Sequence, residues 1–182
     1  MNKRGDIWIS AVLYMALGIV VLTIVLAAGL PVVNKMKDRQ TLTQTKNVMN
    51  TLDQNIRTVY NEGPSSKRTV EVKIGRGEFK ILPEETDEKI QWSMDTKALL
   101  STPCELGEVC TPINEGNLQI LTQAKTVKGE YTVTITLDYS ENIDLDYTSS
   151  QSISGTNKIS ILNKGPQGEP PKTQILLEQV DI

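Results

Sequence analysis

The sequence predicts an α+β chain: one long N-terminal helix, apolar in its first part and kinked, followed by an antiparallel β-sandwich. Three observations predict it. Residues 7–33 form a run of 27 without a single charge. Residues 42–59 then space their apolar side chains as a helix does. From Ser65 onward the spacing drops to two, the period of half-buried strands.

The uncharged run, Ile7 to Val33, carries only Ser10, Tyr14 and Thr23 as polar side chains. At about 1.5 Å per residue it exceeds the roughly 30 Å of a bilayer's hydrocarbon core. Its apolar character extends all round the helix, which excludes the one-sided pattern of a soluble amphipathic helix. Gly29-Leu30-Pro31 lies near its end. Proline lacks a backbone donor and crowds the preceding turn, so a kink is expected there, either as a membrane exit or as a point where the helix bends.

Leu42, Met49 and Ile56 recur at seven, with Leu52 and Val59 between them and Thr45 interrupting. This narrow stripe packs either on the protein's own β-domain or on a neighbour's helix. Asn61-Glu62-Gly63-Pro64 supplies the stop. The helix is therefore placed from about Ile7 to Tyr60, and the domain boundary at 62/63.

Val70, Val72 and Ile74 alternate with polar residues. Gly75-Arg76-Gly77 reads as a hairpin turn, and Phe79 and Ile81 resume the alternation. Further strands are predicted around Ile90–Met94, Leu118–Thr122, Tyr131–Leu137, Ile143–Tyr147, Ile159–Ile161 and Ile175–Val180. About eight short strands over residues 63–182 suggest a sandwich. Gly165 to Pro171 is expected to be a long loop between the last two strands.

Composition excludes much chemistry. The chain has no His, which removes His-based hydrolases, proteases and zinc sites. No nucleophile is paired with a base, and no catalytic residue, cofactor or metal site is expected. Residues 1–60 carry seven Lys/Arg against three Asp, net +4, and residues 61–182 carry twelve basic against nineteen acidic groups, net −7. An acidic, aromatic-poor domain does not suit nucleic acid. Asp138, Ser140, Asn142, Asp144 and Asp146 crowd one turn. They read as a solvated hairpin or a weak calcium loop, with Ile143 where such a loop needs Gly. Glu84 to Glu88 reads as a solvated connector.

Cys104 and Cys110 enclose five residues, with Pro103 and Pro112 outside them. The spacing suits a small disulfide-closed loop or two free thiols, and not a two-residue redox or zinc motif. A disulfide would imply an oxidising compartment.

Three readings of the apolar helix compete: a cleaved secretory signal, a plain single-pass anchor, and a helix retained after cleavage in front of it. Lys3, Arg4 and Gly5 stand immediately before the run, followed by Asp6. This arrangement resembles the class III signal peptide of archaeal type IV pilin-like proteins. The resemblance implies a leader at 1–5, cut between Gly5 and Asp6 by a prepilin-type peptidase, and a helix over 6–62 that stays on the mature protein. It further implies that Ile7–Val33 rests in membrane lipid and then packs against copies of itself or related pilins in a surface filament, the β-domain lying outside the cell. The alternative is a single-pass anchor carrying an external β-domain that binds or coats without polymerising.

Overall fold

A computed structural model describes residues 3–82, 88–147, 152–169 and 171–180, without the side chains of residues 3–7, 9, 152 and 154. One helix, α1 (Lys3–Glu62), precedes eight strands: β1 (Lys67–Leu82), β2 (Lys89–Thr96), β3 (Ile113–Glu115), β4 (Leu118–Ala124), β5 (Tyr131–Asp138), β6 (Ile143–Tyr147), β7 (Ser152–Gln167) and β8 (Lys172–Val180). The connector Glu84–Asp87 and Pro170 lie outside the described residues.

The chain divides into two compact units, residues 1–38 and 39–182. The striped part of α1, residues 42–59, thus groups with the sheet, while the helix itself ends at Glu62, where the sequence reading places the change from helix to strands. The α-helix is continuous through Gly29, Leu30 and Pro31.

In the second unit all eight strands join one hydrogen-bonded sheet, in the order β3-β4-β5-β2-β1-β7-β8-β6. Neighbours are antiparallel except β6 and β8, which run parallel. The sheet cannot be flat. β5 and β6 are consecutive in the chain yet five places apart in the order, about 24 Å at the usual strand spacing. The link from Asp138 to Ile143 reaches at most about 17 Å. The sheet must curl until β6 comes back over β5 and β2. Two bonds mark the return: Tyr139 N–H donates to the Glu88 carbonyl at 2.9 Å, and Leu145 N–H to the Glu88 carboxylate at 2.8 Å.

The inner face of this curled sheet holds the core. Val72, Phe79, Ile81, Ile90, Trp92, Val133, Ile135, Ile159, Ile161, Ile175 and Leu177 are fully buried there. Met49, Leu52, Ile56 and Val59 of α1 join the same cluster, also fully buried. The helical stripe thus packs on the protein's own sheet and supplies the second layer that the sequence reading assigns to another sheet. The outer face is polar: Gln91, Thr136 and Gln119 align across three strands, as do Asp95, Thr132 and Gln123.

Three local readings need correction. Residues 67–82 are one strand, not a hairpin. Val70–Ile74 and Phe79–Lys80 both pair with β7, and the intervening register shift absorbs Gly75–Glu78. Gly77 makes the bulge possible. Its φ is +92°, and a Cβ there would stand 2.6 Å from both Ser93 O and Trp92 Nε1. Gly165–Gln167 belongs to β7 and pairs with Lys172–Gln174, so the expected long loop shrinks to a tight connection. β3, too short for periodicity to reveal, is added as an edge strand against β4.

Candidate functional site

The first candidate is the apolar part of α1. Among the described side chains from Trp8 to Met36 the large apolar ones are exposed, including Leu13, Met15, Leu17, Ile19, Ile24 and Val25. α1 is long and apolar enough to cross a membrane. Thr23 satisfies its hydroxyl internally, donating to Ile19 O at 2.6 Å and to Val20 O at 3.0 Å. Such back-bonding hides a polar group within an apolar phase. Lys3, Arg4, Gly5 and Asp6 form the first turn of α1, and their side chains lie outside those described.

The second candidate surrounds Asp53, a buried carboxylate facing the same side of α1 as Leu52 and Ile56. It accepts from Arg57 Nε at 2.9 and 3.0 Å, from Tyr139 Oη at 2.9 Å and from Asn117 Nδ2 at 2.6 Å. A buried charge requires such saturation. The node ties the helix to the β3–β4 turn and to the β5–β6 link. Burial, reinforced by the Asp53 charge, pushes the Tyr139 phenol well above its usual range, so it remains a donor. The Arg57 guanidinium lies over the Tyr139 ring, 5.8 Å from its centre. Sequence reasoning missed this node. The available signal was a carboxylate on the buried side of the stripe, four residues before an arginine.

Beside the node lies a cleft of about 360 Å³, lined by Arg57, by the 114–119 hairpin and by the 138–143 link. The acidic turn of the sequence reading forms one wall. Asp138 Oδ1 accepts from Ser140 N–H at 3.1 Å and from the Ser140 hydroxyl at 2.6 Å. Burial works against Asp138's charge, but these donors prevail and hold its carboxyl below the usual range. Asp146 bonds instead to Lys164 at 3.0 Å. Asp138 and Asp146 are thus drawn to separate protein donors, and among the described residues no group of three His, Cys, Asp or Glu could hold a metal ion.

Cys104 and Cys110 form a disulfide with their Cα atoms 5.6 Å apart. Cys104 is pinned to β4 by its backbone, donating to Thr122 O at 2.8 Å and accepting from Ala124 N–H at 2.9 Å. The loop between the cysteines exposes Leu106 and Val109. The chain matches no protein-family model, no curated protein and no solved structure.

Proposed function

We propose that the protein is a structural subunit of a type IV pilus-like surface filament, assembled through its apolar helix. One observation carries this reading. A single α-helix supplies an apolar run that the chain itself leaves uncovered, then a stripe buried by the sheet. In a membrane, lipid covers the uncovered run. In a filament, the same run of neighbouring subunits covers it, while the folded domain stays in water outside the cell.

The Lys3-Arg4-Gly5 leader fits the first step of such a passage. Each basic group costs about 2.5–3.5 kcal/mol at the centre of a bilayer, so cleavage after Gly5 removes what would hold the helix in place. Pro31 donates no backbone hydrogen bond, which makes Gly29–Pro31 the place where the helix would bend during packing. The curled sheet would present its polar outer face to solvent, with the Cys104–Cys110 loop in an oxidising exterior.

Amino-terminal sequencing of native protein, combined with electron microscopy of material sheared from the cell surface, tests the proposal. A start at Asp6 and filaments containing the chain are expected. A start at Met1 in membrane-retained protein would overturn the filament reading in favour of a static anchor. A start near Leu30 would indicate secretion without the helix.

A further inference from the structure

The cleft beside Asp53 has a construction that the filament reading does not use. Its floor is rigid: Arg57, Asn117 and Tyr139 all bond to one buried carboxylate. Its rim carries three primary amides, Asn114, Gln119 and Asn142. Asn114 and Asn142 are exposed and Gln119 is half-buried. Asn114 and Gln119 are cross-strand partners on β3 and β4, Asn142 stands on the β5–β6 link, and all three line the one cleft.

The chemistry of the lining narrows the occupant. An apolar or aromatic ligand gains little, because drug-like pockets are mostly apolar and this one is mostly polar. A phosphate or carboxylate meets Arg57 but also Asp138 and Glu141, so the local charge is unfavourable. A divalent cation needs several carboxylate or carbonyl oxygens free to turn inward. Asp53 and Asp138 are already engaged by protein donors. What remains is an uncharged ligand with many hydroxyls. Each hydroxyl both donates and accepts, and a primary amide offers two donors and a two-lone-pair acceptor in one plane.

We propose that this cleft is a saccharide-binding site, with Asn114, Gln119 and Asn142 as the hydroxyl-reading groups and Arg57 as a planar, fixed wall. The volume admits one or two sugar rings, at the small end of ligand sites. The affinity is that of a shallow polar site, a dissociation constant of about 1 mM. Asp53 acts as a positioning residue, holding Arg57 and Asn117 in place without touching the sugar.

The test uses the full chain in phosphatidylcholine nanodiscs, since detergents with sugar headgroups would compete. Saturation-transfer NMR is recorded with the methyl glycosides of glucose, galactose, mannose and N-acetylglucosamine, with inorganic phosphate and calcium chloride added separately as competitors. The same sugars displayed on a glycan array distinguish a surface-bound chain from a free sugar, and specific binding in either arm supports the site. Transfer to at least one glycoside is expected, falling at least about fivefold in the triple variant N114A/Q119A/N142A. Asn142→Ala alone, at an exposed position, should weaken binding in the same direction and guards against misfolding of the triple variant, whose far-UV circular dichroism is checked in parallel. No transfer at about 10 mM glycoside and no array binding would overturn the proposal. So would equal binding by properly folded variants, or abolition of the sugar signal by phosphate or calcium at equal concentration.

Discussion

The side-chain amide of Asn163 donates to the carbonyl of Val59 at 3.0 Å, so a bulge in β7 caps the C-terminal end of α1. The same amide also reaches the Tyr60 carbonyl at 3.4 Å, while its oxygen accepts from Gly165 N–H at 2.8 Å. The last carbonyls of a helix have no partner within it, and here a strand remote in sequence supplies one. The Ser66 hydroxyl gives Val59 a second donor at 2.7 Å. Asn163→Ala should therefore cost about 2 kcal/mol. Asn163→Asp should cost more at neutral pH, because it aims a carboxylate at two carbonyl oxygens. Urea unfolding followed by circular dichroism ranks the two, and an Asp variant as stable as the Ala variant would contradict the cap.

Asp53 and Tyr139 provide a second measurement. Removing the phenol in Tyr139→Phe should cost about 1–1.5 kcal/mol, and Asp53→Ala, which strands Asn117, Arg57 and Tyr139 together, about 3 kcal/mol. The double variant should lose less than the sum of the two, with a coupling energy of about 1 kcal/mol. Strict additivity would mean that the pair is not coupled through the 2.9 Å bond.

Gly77→Ala should be among the most damaging single-methyl additions in the chain. The left-handed backbone there disfavours a side chain, and the new methyl would meet Trp92, whose indole N–H donates to Arg76 O at 3.0 Å. A loss of about 3 kcal/mol is expected. The Trp92 fluorescence of the folded variant should also shift, read against a Trp8→Phe background. Unchanged stability and emission would show that the bulge relaxes freely.

Glu88 makes stability depend on pH. Burial is the largest influence on its carboxyl and raises it above the usual value of 4.5, against the opposing Leu145 N–H bond. A carboxyl raised in the folded state holds its proton more tightly folded than unfolded. Its contribution is complete below pH 4.5 and is lost as pH climbs through the folded value. Glu88→Gln keeps an acceptor for Leu145 and has no proton to lose. The variant should gain stability relative to the wild type as pH rises from 4.5 toward neutrality. Thermal unfolding across that range checks the sign, and parallel curves for the two proteins would refute it.

The disulfide should contribute modestly. Closing so short a loop removes about 2 kcal/mol of unfolded-state entropy in the chain-entropy picture, and Cys104 is already held to β4 by two backbone bonds. Cys104→Ser with Cys110→Ser should leave the sheet intact and loosen only residues 105–112, seen as faster amide exchange there. Global unfolding of the double variant would mean that the loop matters far beyond its place on the surface.

The elements visible in the sequence were those fixed by local spacing. The 7–33 run, the stripe at Met49, Leu52, Ile56 and Val59, and strands such as Tyr131–Asp138 need no tertiary information. The hairpin expected at Gly75–Gly77 failed for a specific reason. Two glycines suit a turn and a bulge equally, and only pairing with β7 distinguishes them. The single curled sheet was hidden in the same way, since spacing shows which residues face inward but not which strand lies beside which. The cleft was half visible: its Asp138–Asn142 wall stood out as a polar turn, whereas Asn114, Gln119 and Arg57 join it only through the fold.

The return of β6 over the sheet has a consequence for the order of assembly. Among the described residues β6 pairs only with β8, whose first residue follows Tyr147 by 25 positions. As the chain emerges, β1, β2, β4 and β5 can pair with one another while β6 must wait for Thr173 to Leu177. Contacts that span long loops form slowly, because closure entropy is lost before the pairing is gained. Until β8 arrives, Ile143 and Leu145 have no strand beside them, and the two bonds to Glu88 are what tie the 139–145 segment to the sheet. Docking of β8 is therefore the step that gives β6 its place in the curled sheet.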